Sequence, residues 1–252
     1  MSIPPQYIEE LKFYLEICRL VKKAEANHIR SCIPTVSNTR KFTAQSLYDV
    51  SLIASNISKI IPNDTYFTEK ESFFFLVGAN GGGKTTYLRA VGINLILFLA
   101  GCPIFAHSAE IYPFSAVFTH FPSDERFDGM GRLDEEQKRT EAILQQADTD
   151  AFLLFNETFS GTAEEKGYSL LLDTVKTCEK QAQFGLYVTH FHNVNETDYP
   201  ILQAEINPAD ENLRTYRILP KNSGTSSYAE DILKKYKLDK TSLWERRKQN
   251  GI

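Results

Sequence analysis

Short apolar runs alternate along this chain with segments in which apolar positions recur every three or four residues. The runs cover residues 73–77, 151–155 and 184–188. Runs of this length, bounded by polar or glycine-containing segments, are typical of strands that are buried on both faces of a parallel sheet. The pattern therefore predicts three central strands of one sheet.

Helical periodicity precedes these runs and separates them. It predicts helices over residues 6–26, 44–57, 91–100, 135–147 and 168–181, and in the tail after Ser223. Pro62-Asn63-Asp64 predicts a turn, because proline followed by asparagine and aspartate favours chain reversal. Strands that alternate with helices in this way indicate an α/β fold, a mostly parallel sheet with helices on both faces.

The most specific motif follows the first apolar run. Residues 78–85 read Gly-Ala-Asn-Gly-Gly-Gly-Lys-Thr and match the phosphate-loop pattern GxxxxGK followed by Ser or Thr. Glycines let backbone N–H groups turn towards phosphates, Lys84 supplies a cation, and the Thr85 hydroxyl can bind Mg²⁺. The helix that begins near Lys84 directs its positive end at the same anion. The motif predicts a P-loop domain that binds ATP and Mg²⁺, through Gly78, Ala79, Asn80, Gly81, Gly82, Gly83, Lys84, Thr85 and Thr86.

A second candidate site follows the run at 151–155, where the chain continues Asn156-Glu157. ABC-type ATPases need an acidic pair at the end of such a strand, one acid for the water shell of Mg²⁺ and a Glu for the attacking water. Glu157 is the expected catalytic residue and Asn156 the expected metal-side residue, although an amide brings no negative charge. The alternatives are a surface position for Glu157 and a simple strand-capping role for Asn156.

Three segments resemble one family. Residues 156–167 resemble the signature DExGRGTSTxDG of the MutS family at Glu157, Gly161, Thr162 and Gly167. Residues 78–89 are similar to its GPNxxGKSTYxR loop, and residues 188–191 to its ATHxxEL segment. The chain thus resembles the DNA mismatch-repair ATPases of the MutS family over nearly its whole length.

The resemblance implies an ABC-ATPase-like P-loop NTPase fold, with a helical lead-in over residues 1–58, the ATPase domain over 59–220 and a helical dimerisation tail over 221–252. It also implies that His190 senses the γ-phosphate and that Asn63 lies close to the adenine. The expected assembly is a homodimer with composite ATP sites, in which ATP binding is coupled to dimer closure. DNA would be engaged through regions outside this chain.

Two departures from the family pattern affect the expected rate of hydrolysis. Leu133 and Asp134 take the positions of a Ser-Thr pair that reaches the γ-phosphate in the partner subunit, and Asn156 replaces the usual Asp. Both departures predict slow turnover. The charged stretch over residues 134–141 otherwise predicts a solvated helix face.

The composition indicates where the protein is located and which partners its surface suits. The four cysteines form no CxxC pair, which favours reduced thiols in a cytoplasmic protein. The apolar stretch at 91–106 is shorter than the roughly 20 residues that a membrane-spanning helix needs, so no membrane contact is expected. The net charge is −4, and the basic residues near the C-terminus alternate with acidic ones, which favours a solvated helix over a DNA contact.

Several functions stay open at this point. A nucleotide-dependent dimerisation switch without hydrolysis would need the same loop. An ABC-type ATPase outside DNA repair is a further alternative, although a transporter ATPase would carry an LSGGQ loop that this sequence lacks. A small-molecule kinase would lack the pairing of Glu157 with His190.

Overall fold

The computed structural model describes residues 5–57, 59–122, 131–206 and 214–221. The described residues up to Leu219 belong to one compact unit, and Pro220 and Lys221 belong to a second. The helices are α1 (Pro5–Ala26), α2 (Val50–Ala54), α3 (Lys84–Leu99), α4 (Arg132–Gln146), α5 (Glu164–Lys180) and a short 3₁₀ helix (His192–Glu196). The strands are β1 (Thr35–Val36), β2 (Lys41–Leu47), β3 (Asn63–Thr68), β4 (Phe73–Val77), β5 (Ser108–Ile111), β6 (Ala116–His120), β7 (Ala151–Asn156), β8 (Phe184–Val188), β9 (Ile201–Ile206) and β10 (Arg214–Pro220).

The larger sheet has six strands in the order β10-β9-β4-β8-β7-β6. The strands from β9 to β6 pair in parallel. The three predicted strands, β4, β8 and β7, are adjacent at its centre, and nearly all of their residues are buried. The prediction of a mostly parallel α/β sheet, consistent with a P-loop NTPase-like fold, is confirmed.

Helices cover both faces of this sheet. On one face Leu76 and Leu154 share a core with Leu88 and Leu95 of α3. On the other face, Phe75 of β4 and Leu153 of β7, which directly precede Leu76 and Leu154, pack with Leu171 and Val175 of α5. Because neighbouring residues of a strand point to opposite faces, a strand covered on both sides is apolar throughout.

A second sheet, in the order β1-β5-β2-β3, corrects the prediction for residues 44–57. That segment is not one helix, because Ala44 to Leu47 belong to β2 and only Val50–Ala54 are helical. In β2, Phe42 and Ala44 are buried while Lys41 and Thr43 are partly exposed. Alternation of buried and partly exposed residues is typical of a half-buried strand. Here it begins at Lys41, before the segment that was predicted to be helical.

The predicted turn at Pro62-Asn63-Asp64 is also wrong, since Asn63 and Asp64 begin β3. Both side chains have long-range partners. Asp64 Oδ1 accepts a hydrogen bond from Ser46 N at 2.8 Å, and Asn63 bonds to the backbone of β10. Tertiary hydrogen bonds therefore hold in a strand two residue types that favour turns in isolation.

The helices predicted at 6–26, 91–100, 135–147 and 168–181 are present as α1, α3, α4 and α5. Their ends differ from the prediction by no more than four residues, except that α3 begins at Lys84, seven residues before the predicted start. The lead-in is not purely helical, because it also contains β1 and β2. The predicted tail helix and the basic C-terminal residues lie outside the described residues. No helix in the described ranges is both long and apolar enough to cross a membrane.

Candidate functional site

The candidate site is built at the carboxyl edge of the central strands. Leu76 of β4 and Asn156 of β7 both pair with Val188 of β8, so the three parallel strands end side by side. The edge where parallel strands end is where open α/β sheets bind ligands. Because β8 lies between β4 and β7, the segment after Val188 emerges between the glycine-rich loop and Glu157.

The glycine-rich loop has a backbone that only glycine adopts readily. Gly78, Gly81 and Gly83 have φ angles of 127°, 71° and 96°. A Cβ atom on Gly78 would also lie 2.9 Å from the Cβ of Ala204 on β9. Ala79, Asn80 and Gly81 form the exposed rim of the loop. The loop thus passes close to β9 while its tip faces solvent, as a cradle for an anion requires.

Lys84 directs its ammonium group into this loop. Its side chain is buried, and Nζ donates hydrogen bonds to Gly78 O at 2.8 Å and to Ala79 O at 3.3 Å. Burial lowers the pKa of the ammonium group, and the charge of Glu157 opposes that change. A positive charge is therefore held at the floor of the loop, with a carboxylate near enough to influence it.

Thr85 and Asn156 meet across the site. The Thr85 hydroxyl donates a hydrogen bond to Asn156 Oδ1 at 3.2 Å, which joins the first turn of α3 to the end of β7. Hydroxyl and amide oxygens are ligands that Mg²⁺ accepts, but neither carries a charge. These two residues fit a metal that takes most of its charged ligands from phosphate.

Glu157 and His190 also meet. Glu157 Oε1 lies 2.7 Å from His190 Nε2, and both side chains are partly exposed, at 29% and 37%. Glu157 has a left-handed backbone with φ of 52°, and its N–H donates to Val188 O at 2.9 Å. The contact is an ion pair when the imidazole is protonated and a hydrogen bond when it is neutral.

Asn63 contacts β10 and leads to a residue that the sequence did not indicate. Its Nδ2 donates to Tyr216 O at 3.1 Å, and its Oδ1 accepts from Ile218 N at 2.6 Å. Tyr216 is half exposed, has a φ of 58°, and lies 3.6 Å from the position a Cβ would take on Gly83. Asn63 therefore holds an exposed aromatic side chain beside the glycine-rich loop.

The other predicted positions have different surroundings. Thr86 is partly exposed in the first turn of α3. Leu133 and Asp134 lie in the first turn of α4, and Asp134 is exposed. The stretch 134–141 has the predicted solvated face, formed by Asp134, Lys138 and Glu141, but Glu136 and Thr140 on another face of the helix are buried. Glu136 and Thr140 share a helix face with Ile143 and Ala147, a spacing of four, three and four that could have indicated a buried polar residue.

Comparison with known proteins gives consistent matches. A protein-family model described as MutS domain V matches residues 74–233. The DNA mismatch repair protein MutS of Lactobacillus delbrueckii subsp. bulgaricus is 30% identical over 168 residues, which cover 64% of this chain and 20% of that protein. The DNA mismatch repair protein MSH2 of Saccharomyces cerevisiae is 27% identical over 209 residues, 82% of this chain and 21% of that protein. The chain thus spans about a fifth of the length of these relatives.

Proposed function

This chain belongs to the MutS domain V family, and we propose that it binds ATP with Mg²⁺ and hydrolyses it slowly. One observation carries the proposal: the Thr85–Asn156 hydrogen bond joins the glycine-rich loop to the strand end that bears Glu157. Two segments 71 residues apart in sequence thereby form one polar site. Since the relatives are DNA mismatch repair proteins, we further propose that ATP binding is coupled to dimer closure and DNA engagement in a MutS-like protein.

The loop and Lys84 would bind the phosphates. Backbone N–H groups of a glycine-rich loop and the N-terminus of α3 provide partial positive charge, and Lys84 provides a full one. In the described structure Lys84 Nζ bonds to two loop carbonyls. Phosphate oxygens are better acceptors for an ammonium group than these carbonyls, so we expect Nζ to turn towards the β- and γ-phosphates.

Thr85 and Asn156 would hold the metal side of the site. A bound Mg²⁺ neutralises charge on the phosphates during hydrolysis. The Thr85 hydroxyl would bind the ion, and Asn156 Oδ1 would accept a hydrogen bond from its water shell. Because Asn156 carries no charge, these residues give weak affinity for Mg²⁺ in the absence of nucleotide.

Glu157 would orient the attacking water, and His190 would contact the γ-phosphate. Their mutual contact at 2.7 Å keeps the two side chains together at the edge of the loop. The contact with His190 occupies Oε1 of the carboxylate, so a water has to be bound through Oε2 or displace the imidazole. That requirement and the neutral Asn156 both favour slow turnover.

Tyr216 would receive the nucleobase. It is exposed, it lies against Gly83, and its backbone is fixed by Asn63. An aromatic ring held at the rim of a phosphate loop offers a flat apolar surface to a base. This role agrees with the position near the adenine that was expected for Asn63.

A second candidate function is a dimerisation switch that binds ATP without hydrolysing it. The neutral Asn156 and the engagement of Glu157 by His190 both favour this alternative. An ABC-type ATPase outside DNA repair is less favoured, because the matched relatives are mismatch repair proteins.

Phosphate release at micromolar protein, with Glu157→Gln as the control, separates hydrolysis from a pure switch. We expect slow release by the wild type and a decrease of about 10²- to 10⁴-fold in the variant, with ATP affinity unchanged. Size-exclusion chromatography with Mg²⁺ and ATP should then show Glu157→Gln as a stable dimer. Full activity in the variant would show that Glu157 is not the catalytic residue, and no release by the wild type would favour the switch.

A further inference from the structure

A buried carboxylate joins α4 to the loop that follows Glu157. Glu136, in the second turn of α4, is 4% exposed. Its Oε2 accepts a hydrogen bond from Phe159 N at 2.9 Å, and its Oε1 accepts one from Arg132 Nε at 3.1 Å. Polar groups are buried in this way only when their hydrogen bonds are satisfied, and here one partner is the backbone of the loop.

That loop has a strained backbone. Glu157 and Phe159 have φ angles of 52° and 66°, in the left-handed region that non-glycine residues seldom adopt. Such conformations persist only where the surrounding contacts over-determine them. The contacts here include Tyr187 OH donating to Thr158 O at 3.0 Å and the pairing of Thr158 Oγ1 with His120 Nδ1 at 3.0 Å. Glu136 adds a charged acceptor at Phe159, two residues beyond the proposed catalytic carboxylate.

We propose that Glu136 is a positioning residue, which holds Phe159 in its left-handed conformation and thereby keeps the Glu157 carboxylate against His190 beside the phosphate loop. The proposal rests on the proposed function in its assignment of Glu157. A hydrogen bond from a backbone N–H to a carboxylate is stronger than one to a neutral acceptor. Loss of the carboxylate frees Phe159 to relax to an ordinary φ, and the change is transmitted through Thr158 to Glu157.

Arg132 completes the arrangement. Its guanidinium atoms Nε and Cζ lie 3.2 and 3.3 Å from the position a Cβ would take on Gly161, so the absence of a side chain at Gly161 lets Arg132 lie against the loop. Arg132 forms an ion pair with Glu136 Oε1 within α4, while Glu136 Oε2 accepts the hydrogen bond from the loop backbone. Two side chains from the start of α4, Arg132 and Glu136, thus lie against the loop at Gly161 and Phe159.

The alternative is that Glu136 only anchors α4 to the sheet. Glu136→Ala removes the acceptor, whereas Glu136→Gln keeps an oxygen that can accept from Phe159 N. Thr140→Val is the matched structural control, because Thr140 is buried one turn further along α4 and its hydroxyl bonds within the helix, to Glu136 O. Glu141→Gln is a surface control on the same helix.

Two measurements test the proposal. The first is the imidazole NMR signal of His190, assigned by its absence in His190→Gln and shown to report the carboxylate contact by its shift in Glu157→Gln. The second is ATP turnover together with ATP affinity. For Glu136→Ala we expect a shifted His190 signal and a kcat lowered about 10- to 100-fold, the cost of a misplacement of about 1 Å, with ATP affinity unchanged. Glu136→Gln should retain most of the turnover.

The possible outcomes distinguish a positioning role of Glu136 from simple anchoring of α4 and from failure of the proposed function. A His190 signal and kcat at wild-type values in Glu136→Ala would overturn the proposal. Equal effects in Glu136→Ala and Thr140→Val would also overturn it, because they would assign the loss to helix anchoring. If the wild type hydrolyses no ATP, the NMR comparison decides the positioning role by itself, and it is the proposed hydrolysis that fails.

Discussion

Lys84 provides the most direct test at the scale of single residues. Its ammonium group is buried at the floor of the loop, and an alanine there would leave the phosphates without their side-chain cation. Loss of a charge-assisted hydrogen bond costs on the order of 3 kcal/mol, or about 100-fold in affinity. We therefore expect Lys84→Ala to abolish ATP binding in a micromolar titration. Lys70→Ala, an exposed residue that precedes β4, is the matched control. An unchanged affinity in Lys84→Ala would refute the P-loop assignment.

Asn156 is the residue at which this chain departs most clearly from an acidic pair. Its Oδ1 already accepts from Thr85, so an aspartate would place a charge where the metal is expected. Asn156→Asp should tighten Mg²⁺·ATP binding and raise turnover, because attraction to the ion increases in a partly dry cleft. Titration of Mg²⁺ against ATPase rate measures both effects, with Asn27→Asp, at an exposed position just after α1, as a control for charge alone. Superimposable curves for wild type and Asn156→Asp would leave Asn156 as a strand cap.

At the scale of elements, what the sequence predicted depends on where the stabilising contacts come from. Strands β4, β7 and β8 are buried on both faces, so their own residues identify them. Strands β2 and β3 are only half buried, and their polar residues resemble those of helices and turns. Asn63 shows the reason, because its strand conformation depends on a partner 153 residues away.

The residues of the candidate site also divide into those that the sequence indicates and those that only the folded structure shows. Lys84 and Thr85 could be predicted from the phosphate-loop motif. Asn156 and Glu157 could be predicted from their place after a strongly apolar strand, and His190 from the family resemblance. The structure brings Thr85 to Asn156 and Glu157 to His190. The chemical roles of these residues stay predictions. Glu136 and Tyr216 could not be assigned, because nothing local marks a contact with Phe159 or with Gly83. Positions fixed by tertiary packing become visible only in the folded chain.

His120 gives a prediction for the edge strand β6. The ring is buried at the end of this strand beside Phe155. Burial, with a smaller contribution from the Arg139 charge, lowers its pKa from 6.5 to about 4. The unfolded chain therefore binds the proton first as pH falls, so His120 contributes stability that is fully present above pH 6.5 and lost as pH falls towards 4.

This pH dependence can be isolated by comparison with a variant. Between pH 7 and pH 5 the His120 contribution to the free energy of unfolding should decrease by about 2 kcal/mol. Urea unfolding of wild type and His120→Asn at both values measures it as a difference, which removes the contribution of the carboxylates. Equal losses in the two proteins would show that His120 is not held neutral by the fold.

At the scale of the whole molecule, the membership in the MutS domain V family raises the question of what this chain does with DNA. Sequence readout requires side chains that reach base edges, and phosphate contacts alone carry no sequence information. The chain has a net charge of −4, which opposes association with a polyanion.

We therefore expect this chain alone to bind matched and mismatched duplexes equally weakly. The matched pair for the test is two duplexes that differ at one base pair, compared by gel shift at physiological salt with and without Mg²⁺ and ATP. Raising the salt should weaken any residual binding to both probes alike, because counterion release governs contacts to phosphate. Mismatch-selective binding by this chain would instead mean that it contains its own base-reading element, and the proposal that DNA is engaged through other regions of a MutS-like protein would have to be abandoned.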